Sequence, residues 1–242
     1  MSVTSRYRQA WEGFWREAPD GPGAVFWDAA PEVTAGLHVP LFAPHLADSG
    51  LPLVDLGCGN GTQTRFLAGR FPRVVGADIA AAAVGRARHA DPAGRAAYRV
   101  LDAADKAEAQ ALHAELGDVN VYMRGVLHQC EPDDRQSLVD ALAVLVGERG
   151  RIFLVELSEA ARPVLGRLAQ DPAGPPPKLA PVLRHGIAPG EVADAAVPRY
   201  LRSAGLTVLV SGEAPLTTTE SAPDGTRMEL PSRWLVAAGR AA

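Results

Sequence analysis

The chain has 242 residues, of which 47% are hydrophobic and 21% charged, and its formal net charge is −4. That length buries the core of one α/β domain, and the acidic balance excludes a general nucleic-acid binder, which needs a basic face. No apolar run reaches the length of a membrane span, and the two cysteines, Cys58 and Cys130, form no C-x-x-C, so neither a disulfide framework nor a metal site is argued.

Residues 1–16 hold arginines and tryptophans but no apolar core of a signal peptide, so a cytoplasmic protein is expected. Tyr7, Trp11, Phe14 and Trp15 fall at helical spacing, which predicts a helix over 4–18. Such an aromatic stripe either packs on a domain or walls a ligand pocket. Gly21-Pro22-Gly23 breaks it. A second, less regular helical region is expected over 29–47, interrupted by Pro40 and Pro44.

From Leu51 the pattern alternates. Strands are expected near 51–56, 73–77, 97–101, 118–124 and 150–156, with helices near 61–70, 80–89, 104–115 and 132–146. This order predicts a parallel sheet with helices on both faces. The stretch 171–190 opens on Asp-Pro-Ala-Gly-Pro-Pro-Pro, which cannot continue a helix, and predicts a loop or small cap over the sheet edge. A helix is expected from about Pro189 to Ser203, stopped by Gly205, and a terminal hairpin-like pair of strands over 206–210 and 234–238.

The most informative stretch is Leu53-Val54-Asp55-Leu56-Gly57-Cys58-Gly59-Asn60-Gly61, with Asp78 seventeen residues after the last glycine. An apolar run ends in an acid, a glycine loop follows, and a second apolar run ends in another acid. Gly57, Gly59 and Gly61 let the backbone turn and approach a ligand. Asp78 is placed to accept hydrogen bonds from ribose hydroxyls across the carboxyl ends of two parallel strands. The spacing G-x-G-x-G is not the dinucleotide G-x-G-x-x-G, and Asp55 beside the loop would repel a pyrophosphate while suiting a cationic amino-acid moiety.

These residues resemble the class I S-adenosylmethionine-dependent methyltransferases. Val54 to Gly61 is similar to their first motif, and Val75-Gly76-Ala77-Asp78-Ile79 to their second. The resemblance implies S-adenosylmethionine as cofactor and a Rossmann-like, seven-stranded, mostly parallel sheet whose last strand is antiparallel. It also implies a variable acceptor cap before the first strand and after the fifth. The expected organisation is therefore a helical cap over 1–48 and a methyltransferase domain over 49–242, with a cap insertion near 160–190.

The same resemblance implies roles at the later strand ends. Asp102 would meet the adenine amino group and the backbone of Ala103 its ring; Asp102 and Asp105 are equally candidate helix N-caps. The family uses the end of the fourth strand to hold the methionine part of the cofactor; Arg124 is unusual there, and its guanidinium would reach the cofactor carboxylate or an acidic acceptor, or pair with Asp55 or Glu156. His128 stands where small-molecule O-methyltransferases carry a general base, although Gln129-Cys130 replaces their acid and tryptophan; the alternative is a histidine that packs or caps the next helix. Glu156 would orient an acceptor amine or a histidine, or be solvated, and the same holds for Glu159. His185 is a candidate for the acceptor pocket. The expected activity is methyl transfer to an oxygen or nitrogen of a small molecule, with no nucleic-acid or membrane partner and a homodimer left open. The alternatives are a cofactor-binding cyclase or decarboxylase that transfers no methyl, and a non-catalytic binding subunit.

Overall fold

The computed structural model describes residues 3–222 and 224–239. Among these residues strands lie at Leu53–Leu56 (β1), Val74–Asp78 (β2), Ala97–Val100 (β3), Asn120–Arg124 (β4), Arg151–Leu157 (β5), Thr207–Glu213 (β6), Leu216–Ser221 (β7), Arg227–Leu230 (β8) and Ser232–Ala238 (β9). Nine α-helices lie at Val3–Glu17 (α1), Ala35–Phe42 (α2), Thr62–Ala68 (α3), Ala81–His89 (α4), Lys106–Leu116 (α5), Arg135–Val146 (α6), Ala161–Ala169 (α7), Ala180–Arg184 (α8) and Ala196–Ser203 (α9).

Seven strands form one sheet in the order β3-β2-β1-β4-β5-β9-β6. The pairs among β1 to β5 are parallel, and β9 runs antiparallel to both β5 and β6. The fold is Rossmann-like, and the strand order reverses between β1 and β4. In such sheets a ligand crevice opens at that switch point, outside the strand carboxyl ends.

Alternation along the strands builds a core on each face. Val54, Leu56, Val75, Ala77, Val121 and Met123 pack with Leu112, Leu142 and Leu201 from α5, α6 and α9. Leu53, Val74, Tyr122, Phe153 and Val155 pack with Phe14 and Trp15 of α1, Phe42 of α2 and Leu67 of α3. The amino-terminal helices thus share a core with the sheet.

Four local expectations differ from the structure. Residues 29–47 form two 3-10 turns, Pro31–Val33 and Ala43–His45, around the short α2, because Pro31 and Pro44 favour new starts. The stretch 171–190, expected as a loop or small cap, contains the short helix α8. The helix expected from Pro189 begins only at Ala196, since the Gly190 amide donates to the His128 carbonyl (2.7 Å) and Arg135 donates to the Glu191 carbonyl (2.8 Å). Finally, β6 and β9 pair as expected but are not a hairpin: β7 and β8, a separate two-stranded sheet, lie between them in the chain. Thr217 to Thr219 in β7 are β-branched and the following turn holds Asp224-Gly225, so a strand signal was present.

Candidate active site

The first element of the site is the loop leaving β1. Gly57 and Gly59 have φ of +76° and +54°. A Cβ on Gly57 would lie 2.5 Å from Val126 Cγ2, and one on Gly59 2.8 Å from Trp15 Cζ2. Only glycine satisfies both the backbone and this space. Gly61 (φ +75°) starts α3, and its Cβ would meet Ala87 and Tyr98, away from the cavity. Asn60 donates to Asp28 Oδ2 (2.8 Å), which anchors the loop tip.

Asp55 is fully buried beneath the loop, accepts the Thr64 hydroxyl at 2.5 Å and does not line the cavity. Burial pushes its pKa up to about 6, against the opposing effects of Thr64 and Arg124. Asp78, at the end of β2, does line the cavity. Its Oδ2 accepts the Gly59 amide and its Oδ1 the Ala80 amide, each at 2.9 Å. An ionised carboxylate has about four acceptor sites, so roughly two remain for a ligand. Burial raises Asp78 to about 6 as well, with the Ala80 and Gly59 amides pulling down.

Ile79, Asp102 and Ala103 also line the cavity. Asp102 Oδ1 accepts the Ala104 amide (3.0 Å) and Oδ2 accepts Arg8 of α1 (2.7 Å). Asp105 is the N-cap of α5, bonding the Ala107 and Glu108 amides, which separates the two acids that sequence alone left as equal candidates. Arg124 lines the cavity and donates to the Trp27 carbonyl at 3.0 Å. Among the described residues no carboxylate pairs with it, neither Asp55 nor Glu156.

β4 and β5 pair with Arg124 opposite Val155, which sets Glu156 beside the turn Gly125–His128. Glu156 Oε1 accepts the Val126 and Leu127 amides, both at 2.8 Å. Its Oε2 accepts the His128 amide at 3.3 Å and meets His128 Nδ1 at 2.7 Å. Both side chains are buried, and His128 lines the cavity. The carboxylate beside Nδ1 selects the Nδ1–H tautomer. Nε2 is left as a lone-pair acceptor with no hydrogen bond to a described residue.

The roof comes from α1 and from the segments around α7, α8, β7 and β8. Trp15 covers Gly59, and the Tyr7 hydroxyl lies within reach of Gln129 Oε1 (3.3 Å) and the Ala188 carbonyl (3.2 Å). One continuous cavity runs from the glycine loop past His128 to a chamber under this roof, lined there by Trp11, Phe26, Trp27, Leu165, Leu179 and Leu216. Glu159 and His185 do not line it; His185 ties α8 to Glu17 at 3.1 Å. Sequence reasoning missed Arg8 on Asp102 and every wall residue from β7 and β8. Nothing local in those segments says which cavity they close.

A cavity with two strand-end carboxylates, a glycine-lined floor and a guanidinium that pairs with no carboxylate among the described residues fits a ribonucleoside bearing an amino-acid tail. A family model described as a methyltransferase domain matches residues 53–150. Among curated proteins no sequence matches. Magnesium protoporphyrin IX methyltransferase from Synechocystis PCC 6803, solved with bound SAH, has a TM-score of 0.62 at 19% identity, covering 98% of both chains. A TehB-like SAM-dependent methyltransferase from Corynebacterium glutamicum ATCC 13032 Kitasato has a TM-score of 0.53 at 15% identity, covering 98% of both chains. A SAM-dependent methyltransferase from Anabaena variabilis ATCC 29413 is 31% identical with a TM-score of 0.88, covering 99% of this chain and 96% of that one. With that identity over nearly its whole length, the chain belongs to the S-adenosylmethionine-dependent methyltransferases, and its cofactor is S-adenosylmethionine.

Proposed function

We propose that the protein methylates a hydroxyl oxygen of a small molecule, with His128 as general base and Glu156 as its positioning residue. The observation that carries this reading is the 2.7 Å contact between His128 Nδ1 and Glu156 Oε2, in a histidine that lines the cavity. Three backbone amides hold the Glu156 carboxylate. The imidazole is therefore oriented by a rigid partner and needs no reorganisation.

In this reading Asp78 holds the ribose, Asp102 and the backbone of Ala103 hold the adenine, and Ile79 packs against the nucleoside. Gly57 and Gly59 let the amino-acid tail approach, with Arg124 on its carboxylate. Asp55 and Gly61 act from beneath, by shaping the loop. Residues 1–48 and 160–190 serve as the cap over the acceptor. When bound, S-adenosylmethionine supplies an electrophilic methyl whose leaving group is a neutral thioether. The acceptor hydroxyl gives its proton to His128 Nε2 as its oxygen takes the methyl. The imidazolium so formed is stabilised by Glu156 and later returns the proton to water. The roof excludes water and orients the acceptor, and the base contributes about 10²–10⁴-fold.

The test uses S-adenosylhomocysteine formation as readout, which also separates methyl transfer from a cyclase or decarboxylase. His128→Ala is expected to lower turnover by about 10²-fold or more with cofactor affinity nearly intact. A folded variant with near-normal turnover removes His128 from the mechanism and favours an amine acceptor.

A further inference from the structure

The wall of the acceptor chamber has a chemistry of its own. The charged cavity residues, Asp78, Asp102, Arg124, Glu131 and Asp134, belong to the strand ends and to the turn before α6. The cap around α7, α8, β7 and β8 adds Leu165, Leu179, Val182, Ile187, Leu216 and Leu230 to the same cavity, and no charged side chain among the described residues. Leu216 approaches His128 across Gly125: a Cβ on Gly125 would lie 3.2 Å from His128 Cε1 and 3.9 Å from Leu216 Cδ1. The chamber therefore begins at the base itself.

Two threonines of β7, Thr217 and Thr218, both almost fully buried, bring hydroxyls to this wall. Thr218 is satisfied, donating to the Met228 carbonyl at 2.8 Å. Thr217 has no hydrogen-bond partner for its hydroxyl among the described residues. The Thr217 oxygen is not one of the enclosed unpartnered atoms, which among the described residues are Arg135 Nη2 and Arg151 Nε, so it is open to the cavity and available to a ligand.

We infer that the acceptor is an uncharged, predominantly apolar molecule that presents its nucleophilic hydroxyl to His128 and a second hydrogen-bonding group to Thr217. This rests on the reading of His128 as base. An ionised acceptor would lose its hydration with no counter-ion from the cap, Arg124 being engaged by the cofactor carboxylate in this reading, so charge is excluded by desolvation rather than by a clash. Thr217 is the specificity-determining residue: it adds no rate by itself but selects, among apolar alcohols and phenols of similar size, those with a correctly placed oxygen or nitrogen.

The experiment measures binding to the full chain saturated with S-adenosylhomocysteine, so that no turnover is required. The probes are 2-naphthol, 4-hexylphenol, 2,6-dihydroxynaphthalene, 6-hydroxy-2-naphthoate and 6-aminomethyl-2-naphthol, titrated by calorimetry. The neutral probes are expected to bind at least ~10-fold more tightly than the anionic and cationic ones, a difference set by desolvation of charge. Thr217→Val, which keeps the shape, is expected to remove the advantage of 2,6-dihydroxynaphthalene over 2-naphthol, roughly 2–10-fold for one hydrogen bond. Thr217→Ser is expected to retain that advantage, and equal melting temperatures for the variants show that folding is not the cause. A charged probe binding as tightly as the neutral ones, or no neutral probe binding, overturns the assignment of acceptor class. Charge selectivity without any S-adenosylhomocysteine formed in a parallel assay with S-adenosylmethionine leaves that class standing and removes the base mechanism instead. An advantage unchanged in Thr217→Val overturns the role of Thr217.

Discussion

In the proposed reading one carboxylate, Asp78, serves the loop and the ligand together. Its two backbone partners, Gly59 and Ala80, fix the turn that a cofactor would lie on. Asp78→Ala is therefore expected to do two things: weaken S-adenosylhomocysteine binding at least tenfold, as a lost charge-assisted bond of about 1.5–3 kcal/mol implies, and destabilise the fold by roughly 1–3 kcal/mol through the orphaned amides. Asp78→Asn keeps one acceptor and separates the two effects, with calorimetry and melting on the same preparation as the check. Glu156 is the sharper case. All four of its contacts are N–H donors. Glu156→Gln sets an amide NH₂ against them, so a loss of about 1–3 kcal/mol in stability is expected, together with lower turnover from a ring no longer held in one tautomer. Unchanged turnover in a folded Glu156→Gln protein would mean the carboxylate is only a cap for the turn.

Among the elements, α1 and α4 terminate each other. Glu12 of α1 accepts the Ala82 amide in the first turn of α4 at 3.0 Å. In return Arg86 of α4 donates to the Trp15 and Arg16 carbonyls at 2.5 and 3.3 Å, at the carboxyl end of α1. An anion at one helix start and a cation at one helix end both satisfy groups the helices leave unpaired, with the favourable dipole sign. This clasp holds Trp15 over Gly59. Arg86→Met is expected to loosen α1 selectively: amide hydrogen exchange should accelerate over residues 7–17 and stay unchanged in β1, β4 and β5. Uniform acceleration across the sheet would show that Arg86 supports the whole fold rather than the roof. The Arg8–Asp102 pair, with Arg8 half exposed, adds at most about 1 kcal/mol to that closure.

For the whole molecule, the two buried acids set a pH dependence. Asp55 and Asp78 have folded-state pKa values of about 6, above the ordinary 3.8, because burial disfavours the charged forms. The folded state then binds more protons than the unfolded chain between those values, and stability falls as pH rises through about 6. The ligand-free protein should melt higher at pH 5.5 than at pH 7.5. Cofactor binding has the opposite sign, since the ionised Asp78 is the better acceptor. The melting shift caused by S-adenosylhomocysteine, about 2.7 kcal/mol at 100 times its dissociation constant, should be larger at pH 7.5. NAD should give no shift. A ligand-free melting point that drops steadily from pH 7.5 to 5.5 would contradict the burial argument.

The sequence by itself determined the sheet, the glycine loop and the strand-end acids. These are local: an alternating apolar run specifies a buried strand, three glycines specify a tight approach, and Asp78 follows β2 wherever the domain sits. It also placed Arg124 and His128 at the end of β4, and Glu156 in β5. Only the tertiary structure joined His128 to Glu156, 28 residues away, because parallel pairing of β4 with β5 puts their carboxyl ends side by side. Only the tertiary structure showed that Asp55 and Gly61 lie under the loop, that Arg8 reaches Asp102, and that the Gly190–Glu191 backbone bonds the His128 turn and Arg135 instead of starting a helix. The cavity wall proposed for the acceptor was the least legible part. It is assembled from α1, α7, α8, β7 and β8, whose apolar residues have no local pattern that distinguishes a pocket face from a core face. That distinction arises when the pieces meet, since a side chain lines a cavity only by virtue of what fails to fill the space in front of it.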